Sequence, residues 1–152
     1  MTDFPDSVLE TGLKLFDQEF DELPGDYAPP SGALFLAYEG ATPIGCAALR
    51  ALGPETAEFK RLFVRPTQRS SGVGRRLTVR ALRRAGELGY RRVVLDTLPR
   101  MVRAIALYRK LGFRPIQPYW AHPVPNALFF EFRLQELERT RPPAQVRRQR
   151  SR

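Results

Sequence analysis

The stretch from Glu58 to Leu77 constrains the fold of this chain more than any other part of the sequence. Its first residues, up to Val64, are bulky and mostly of the kinds that favour a β-strand. Pro66 ends that strand, because proline fixes its own φ and cannot donate a hydrogen bond to a neighbouring strand. A short polar loop then leads into a long amphipathic pattern, so the stretch predicts a strand, a loop and a helix.

Gly72 and Gly74 stand where the predicted helix begins. Glycine lets the backbone turn sharply and lets a ligand approach its N–H groups. The N–H groups of a first helical turn have no partner within the helix, and they carry the positive end of the helix dipole. Together the strand, the glycine-bearing loop and the helix N-terminus predict a cradle for a diphosphate.

Gly72-x-Gly74, with an acidic residue at Asp96, also imitates a dinucleotide-binding fingerprint. Two features argue against that interpretation. Leu77 occupies the position of the third glycine, and residues 65–71 separate the strand from Gly72, whereas the fingerprint has its turn directly after the strand.

Two segments resemble motifs of one known family. Arg69-x-x-Gly72-x-Gly74, following Leu62-Phe63-Val64-x-Pro66, resembles motif A of the GNAT superfamily of N-acetyltransferases, which binds acetyl-CoA. The segment 104–113, with Tyr108 near its middle, resembles motif B of the same superfamily. The motifs follow each other in the family's order, and the resemblance runs over residues 34–134.

Hydrophobic periodicity and turn residues predict an α+β chain. Helices are predicted over residues 7–20, 72–89 and 101–111, and strands over 33–38, 44–52, 57–64, 92–96, 113–116 and 127–134. The first three strands are joined by short connections and predict an antiparallel meander, whereas the fourth follows a crossover helix and should run parallel to the third. The resemblance implies a GNAT-like mixed, mostly antiparallel central sheet, splayed between two parallel strands, with helices on both faces.

Composition limits the other possibilities. A chain of 152 residues suits one core, and we predict a single acetyltransferase domain over residues 1–136. One cysteine, Cys46, and one histidine, His122, leave too few ligands for a zinc site, so no metal is expected. The N-terminus has no signal pattern and no apolar run reaches about 20 residues, which predicts a cytoplasmic protein without a membrane partner.

The net charge of +9 is uneven, because residues 139–152 hold six arginines and no acidic residue. We predict that residues 137–152 form a basic, disordered tail. A nucleic-acid partner is expected only through that tail, and the sequence leaves a homodimer open.

The resemblance implies a set of residues that bind acetyl-CoA. The edge of Leu62, Phe63 and Val64 would pair with the amide groups of the pantetheine arm, and a backbone N–H there would face the thioester oxygen. Arg76 or Arg80 would reach the 3′-phosphate; the alternative role for the arginines of this helix is a solvated face. The diphosphate would be held by the loop and the helix start: Arg69, Ser70, Ser71, Gly72, Val73, Gly74 and Arg75.

The resemblance also implies that Tyr108 is the acid that protonates the departing CoA thiolate; the alternative is an apolar-face tyrosine that only packs. The attacking amine needs a base, and Glu58 is the first candidate, with Asp96 and His122 as alternatives. For either carboxylate a salt bridge, to Lys60, Arg61 or Arg92, is the alternative role.

One position departs from the family pattern. Many relatives have asparagine three residues before the Ala-Ile of motif B, where this chain has Met101. That polar contact is therefore either missing or supplied by another group, such as Arg103 or a main-chain amide.

These observations predict an acetyl-CoA-dependent N-acetyltransferase that acts on a primary amine of a small molecule or peptide by direct attack. The loops over residues 23–30 and 119–126 would border the acceptor cleft. A non-catalytic acyl-CoA sensor on the same fold, and a basic nucleic-acid-associated protein, stay as alternatives.

Overall fold

The computed structural model describes residues 23–135 of the chain. The helix predicted over residues 7–20 and the basic tail predicted over residues 137–152 lie outside the described residues.

Within residues 23–135, six strands form one sheet, in the order β1-β2-β3-β4-β6-β5. The strands are β1 (Ala33–Glu39), β2 (Thr42–Ala51), β3 (Thr56–Val64), β4 (Arg92–Thr97), β5 (Arg114–Ile116) and β6 (Leu128–Arg133). The helices are α1 (Val73–Glu87) and α2 (Val102–Leu111), with 3-10 turns at Gly25–Tyr27 and Pro66–Gln68.

The directions of the first four strands agree with the sequence-based prediction. β1, β2 and β3 form an antiparallel meander, β3 and β4 run parallel on either side of the crossover through α1, and β6 pairs antiparallel with both β4 and β5. The sheet is therefore mixed and mostly antiparallel, as predicted.

Helix α1 forms because its apolar residues recur at helical spacing and cover one side of the sheet. Val73, Leu77 and Ala81 are buried against the sheet, whereas Arg76 and Arg80 on the other side are exposed. Beyond the helix, Gly89 takes the left-handed conformation with φ 89°, and this turn ends the helix. Glycine adopts this conformation without the steric strain that a Cβ would cause.

The main core lies on one face of the sheet. Alternate residues of the central strands, including Phe59, Leu95 and Phe130, pack in one cluster with α1 and with Tyr108 of α2. Both described helices therefore cover the same face. Helices on both faces would require the one predicted over residues 7–20, which the structure does not describe.

The parallel pair β3–β4 is short. Its register runs only from Thr56 opposite Arg92 to Glu58 opposite Val94, although both strands continue beyond these residues. The two strands consequently separate, and the sheet contains a wedge-shaped gap between the C-terminal parts of β3 and β4. We call this opening the strand gap.

Candidate active site

A bulge in β3 lies beside the strand gap. Between the pairs Ala48–Lys60 and Cys46–Phe63, β3 contains one more residue than β2, and Arg61 within the bulge has φ 60°. A bulge of this kind re-aims backbone groups and increases the local twist of the strand. It therefore helps β3 to turn away from β4.

The register identifies which backbone groups face the gap. Arg65 N donates to Ile44 O at 2.8 Å, so the neighbouring Val64 has its N–H and C=O directed away from β2. Leu62, two residues earlier, faces the same way, whereas Phe63 is paired with β2 through Cys46. Of the three residues predicted at this edge, Leu62 and Val64 thus offer main-chain groups to the gap and Phe63 does not.

The predicted cradle lies at the N-terminus of α1. Gly72 precedes the helix with φ 87°, a left-handed conformation that side chains other than glycine rarely adopt. No side chain caps this terminus, and its first turn contains no acidic residue. The N–H groups of Val73, Gly74 and Arg75 consequently have no intrahelical partner and can hold an anionic group.

The loop before Gly72 is held close to β3. Arg69 Nε donates to Val64 O at 3.2 Å, and Ser71 Oγ donates to Gln68 O. From α2, Arg103 Nη1 lies 3.5 Å from Ser70 Oγ. Arg103 therefore reaches the loop that was predicted to bind a diphosphate.

Met101 stands immediately before α2, and its side chain is exposed. It brings no polar group to this part of the site.

Tyr108 is buried on the helix-bearing face, with 6% of its surface exposed. Its ring meets Phe59 edge-to-face with centroids 6.4 Å apart, and it also contacts Phe113 and Phe130. Burial raises the pKa of the Tyr108 hydroxyl above its ordinary value, and the negative charge of Asp96 raises it further. The hydroxyl is therefore protonated at neutral pH and lies within electrostatic reach of Asp96.

Glu58 is at the apex of the gap, on the opposite face of the sheet, and only 1% of its surface is exposed. Arg50 donates to Oε1 from Nε at 2.8 Å and from Nη2 at 2.7 Å, while the Tyr119 hydroxyl donates to Oε2 at 2.7 Å. Lys60 Nζ is 3.9 Å from Oε1. The carboxylate is thus clamped between an arginine and a tyrosine, and its closest charged partner is Arg50 rather than the residues predicted from the sequence.

Asp96 lies on β4, two residues beyond the last residue paired with β3. His122 Nε2 is 3.0 Å from Asp96 Oδ2, and Lys60 Nζ is 3.6 Å from Oδ1. Val124 N donates to His122 Nδ1 at 2.9 Å, so Nδ1 is an acceptor and the proton of the neutral ring is on Nε2. Because both ring nitrogens are engaged, His122 is arranged to orient Asp96 rather than to accept a proton directly.

The segment 117–127 crosses this face of the sheet, where Tyr119 contacts Glu58 and His122 contacts Asp96. Burial raises the pKa of the Tyr119 hydroxyl, and its hydrogen bond to Glu58 and the nearby negative charges add to the effect, so it is a donor at neutral pH. Between these two residues Trp120 is 38% exposed, and its ring lies 4.6 Å from that of His122. The two carboxylates therefore fix the loop that the sequence predicted at the acceptor cleft.

Sequence reasoning missed Arg50 and the Glu58 hydrogen bond of Tyr119. Arg50 also lies 3.8 Å from Asp26, which links the loop over residues 23–30 to the same cluster. One signal was available: Arg50 is the one charged residue of β2, and it pairs across the hairpin with Glu58 of β3.

Among residues 23–135 no group of histidine, cysteine, aspartate and glutamate has a metal-binding arrangement. None of the helices in that part of the chain is long and apolar enough to cross a membrane.

Comparison with known proteins finds one family whose model matches most of this chain. The model of the acetyltransferase (GNAT) family matches residues 2–113. An uncharacterised N-acetyltransferase of Schizosaccharomyces pombe is 35% identical over 133 residues, which cover 84% of this chain and 82% of the relative.

Solved structures share the fold. An acetyltransferase of Streptococcus agalactiae aligns with a TM-score of 0.70 and 24% identity, over 82% of each chain. A GNAT family acetyltransferase of Elizabethkingia anophelis, whose structure holds acetyl-CoA, aligns with a TM-score of 0.62 and 23% identity, over 87% of this chain and 92% of that one.

Proposed function

Because this chain belongs to the acetyltransferase (GNAT) family, we propose that it transfers an acetyl group from acetyl-CoA to a primary amine by direct attack. The observation that carries the proposal is the strand gap, with main-chain groups of Leu62 and Val64 on one side and the uncapped start of α1 at its end. The structure of the Elizabethkingia anophelis relative, which holds acetyl-CoA, supports this choice of donor.

The cradle suits the anionic part of the donor. The first-turn N–H groups at Val73, Gly74 and Arg75 would receive the diphosphate, with Ser70 and Ser71 in the loop before them. Arg103, which reaches Ser70, would add the positive charge that Met101 cannot supply. The edge formed by Leu62 and the Val64 N–H would pair with the pantetheine arm, although the Val64 carbonyl already accepts from Arg69. An N–H at this edge would stabilise negative charge on the thioester oxygen.

The proton of the attacking amine needs an acceptor, and we assign this role to Asp96. Its Oδ1 is 3.6 Å from Lys60, beyond hydrogen-bond distance, and it lies at the gap where the two strands have separated. Glu58, the first candidate from the sequence, has both oxygens engaged and is buried at the last pair of β3 and β4. Arg50 and the Tyr119 hydroxyl already occupy this carboxylate, so the contacts support Glu58 as an anchor for the acceptor loop.

Tyr108 would assist the leaving thiolate. The reaction forms a C–N bond as the C–S bond breaks, and the electron pair stays on sulfur. The buried Tyr108 hydroxyl, protonated at neutral pH, is the donor for that sulfur.

Release of the CoA thiol tests the proposal, measured with the purified chain across small amines, polyamines, amino acids and peptides. Tyr108→Phe should lower kcat by about 100-fold while leaving acetyl-CoA binding near normal, because only the hydroxyl is lost. Tyr38→Phe, at an exposed tyrosine of β1, is the matched control and should behave like the unaltered chain. Acetyl-CoA binding without thiol release for any amine would instead support a non-catalytic sensor.

A further inference from the structure

Lys60 and Asp96 bridge the strand gap at its narrow end. The last paired residues of β3 and β4 are Glu58 and Val94, and each member of the bridge lies two residues further along its strand. Both therefore point to the face of the sheet that is opposite to α1 and α2. Lys60 Nζ and Asp96 Oδ1 are 3.6 Å apart, so a positive and a negative group stand side by side at the acceptor cleft.

The ammonium of Lys60 retains hydrogen-bonding capacity. It carries three N–H donors, yet its nearest carboxylate oxygens are at 3.6 Å on Asp96 and 3.9 Å on Glu58. No acceptor in the described part of the chain is recorded within hydrogen-bond distance of it. Its other neighbour is the Trp120 ring, whose centroid is 5.9 Å away, and 18% of the lysine side chain is exposed. The ammonium thus lies between two carboxylates and an aromatic ring, while its donors stay available to a ligand.

We infer that the acceptor is a free α-amino acid, whose amino group faces Asp96 and whose carboxylate binds Lys60. This inference rests on the proposed function. The ammonium and the carboxylate of an α-amino acid are attached to the same carbon, so the two groups can lie antiparallel to the Lys60–Asp96 pair. Each charge then has opposite charges as its neighbours, and the donors of Lys60 gain the carboxylate oxygens as acceptors.

Amines without a carboxylate fit this cleft less well. A polyamine or a simple alkylamine would bring a second positive charge close to Lys60, with no negative group to offset the repulsion. A peptide N-terminus has a neutral amide where the amino acid has its carboxylate. The lysine therefore selects by repulsion of the wrong acceptor as well as by attraction of the right one.

The chemical step stays balanced with this acceptor. The α-amino nitrogen loses one proton to Asp96 before attack, and its lone pair forms the C–N bond as the C–S bond breaks. Attack leaves a second proton on the nitrogen, which passes to solvent, while the CoA sulfur takes a proton from Tyr108. Asp96 then returns its proton to solvent, and Tyr108 takes one from solvent. The products are an N-acetyl amino acid and CoA.

The test compares three forms of the same acceptor in the thiol-release assay. Alanine, methionine, phenylalanine and glutamate are each supplied as the free acid, as the α-carboxamide and as the decarboxylated amine. For whichever of these four amino acids the enzyme acetylates, kcat/KM should be about 10- to 100-fold higher with the free acid than with the carboxamide, because the carboxamide lacks the charge-assisted contact with Lys60. Lys60→Met should remove that preference by lowering the rate with the acid only, and Lys110→Met, at an exposed lysine of α2, should retain it.

The possible outcomes distinguish a wrong acceptor from a wrong proposed function. Faster release with the carboxamide or the amine than with the acid overturns the inference and leaves the acetyltransferase proposal standing. Equal losses for acid and carboxamide in Lys60→Met also overturn it, because Lys60 would not be the group that recognises the carboxylate. Absence of release with all forms, in a protein that binds acetyl-CoA, contradicts the proposed function and the inference together.

Discussion

Replacing Glu58 by glutamine separates an anchoring carboxylate from a catalytic one. In the unaltered chain its Oε1 receives two contacts from Arg50, at 2.7 and 2.8 Å, and its Oε2 receives the Tyr119 hydroxyl. Glutamine has nearly the same shape and can keep one acceptor toward Arg50. The substitution therefore removes the negative charge and preserves most of the packing.

The contacts of Glu58 allow the loss of stability in Glu58→Gln to be calculated. Two unit charges about 4 Å apart attract by about 4 kcal/mol at the effective dielectric constant of about 20 that suits such sites. Two effects make the net loss smaller than this attraction. The Arg50 side chain is 27% exposed and keeps Asp26 at 3.8 Å as a partner, and burying a neutral amide costs less desolvation free energy than burying a carboxylate. We therefore expect a net destabilisation of about 1–3 kcal/mol. For a chain of this size that corresponds to a decrease in Tm of about 3–9 °C.

The assay measures Tm by circular dichroism and kcat by thiol release at saturating acceptor. If Glu58 anchors the loop, Glu58→Gln should lower kcat by less than about 10-fold, whereas Asp96→Asn should lower it by about 100-fold or more. The two variants serve as controls for each other, because each removes one carboxylate charge from the same face of the sheet.

One result would refute this division of roles. If Glu58→Gln abolished turnover at unchanged Tm while Asp96→Asn remained active, Glu58 would be the base, and the assignment of the proton acceptor to Asp96 would be wrong.

Three further predictions concern stability. Tyr119→Phe should destabilise the fold by about 1–3 kcal/mol in urea unfolding, because the buried Glu58 loses a hydrogen-bond donor; an unchanged midpoint would contradict the contact. Gly45→Ala should cost about 1–3 kcal/mol, because a Cβ there would lie 2.9 Å from Phe63 O, and a variant as stable as the unaltered chain would show that β2 and β3 can shift apart. The free energy of unfolding should fall above about pH 10 by about 1.4 kcal/mol per pH unit from Tyr108 alone, because its raised pKa keeps the folded state protonated while the unfolded chain loses the proton. Urea unfolding of Tyr108→Phe should lack this share of the decline. The same dependence of unfolding free energy on pH in both proteins would contradict the prediction.

The described helices and strands, the antiparallel meander and the parallel β3–β4 pair could be predicted from the sequence because they depend on local patterns. Periodicity at Val73, Leu77 and Ala81 defined α1, and Pro66 marked the end of β3. The left-handed Gly72 was foreseeable for the same reason, since few other residues tolerate that turn.

The polar cluster could not be predicted in full, because its members are far apart in the chain. Tyr119 and Glu58 are separated by 61 positions, and their contact depends on how the loop over residues 117–127 crosses the sheet. The bulge at Arg61 is a second example. One extra residue in β3 changes which backbone groups face the gap, so Phe63 was included in the predicted edge although its backbone is paired with β2.

Calorimetric titration with acetyl-CoA tests whether the start of α1 and the strand gap hold the donor. The unaltered chain should bind one equivalent, and Gly74→Trp should bind at least about 10-fold more weakly, since a Cβ at Gly74 already lies 3.6 Å from Val64 and 3.7 Å from Leu107. Gly86→Trp, on an open part of the same helix, should bind like the unaltered chain. No binding by the unaltered chain, or full binding by a folded Gly74→Trp variant, would contradict the account.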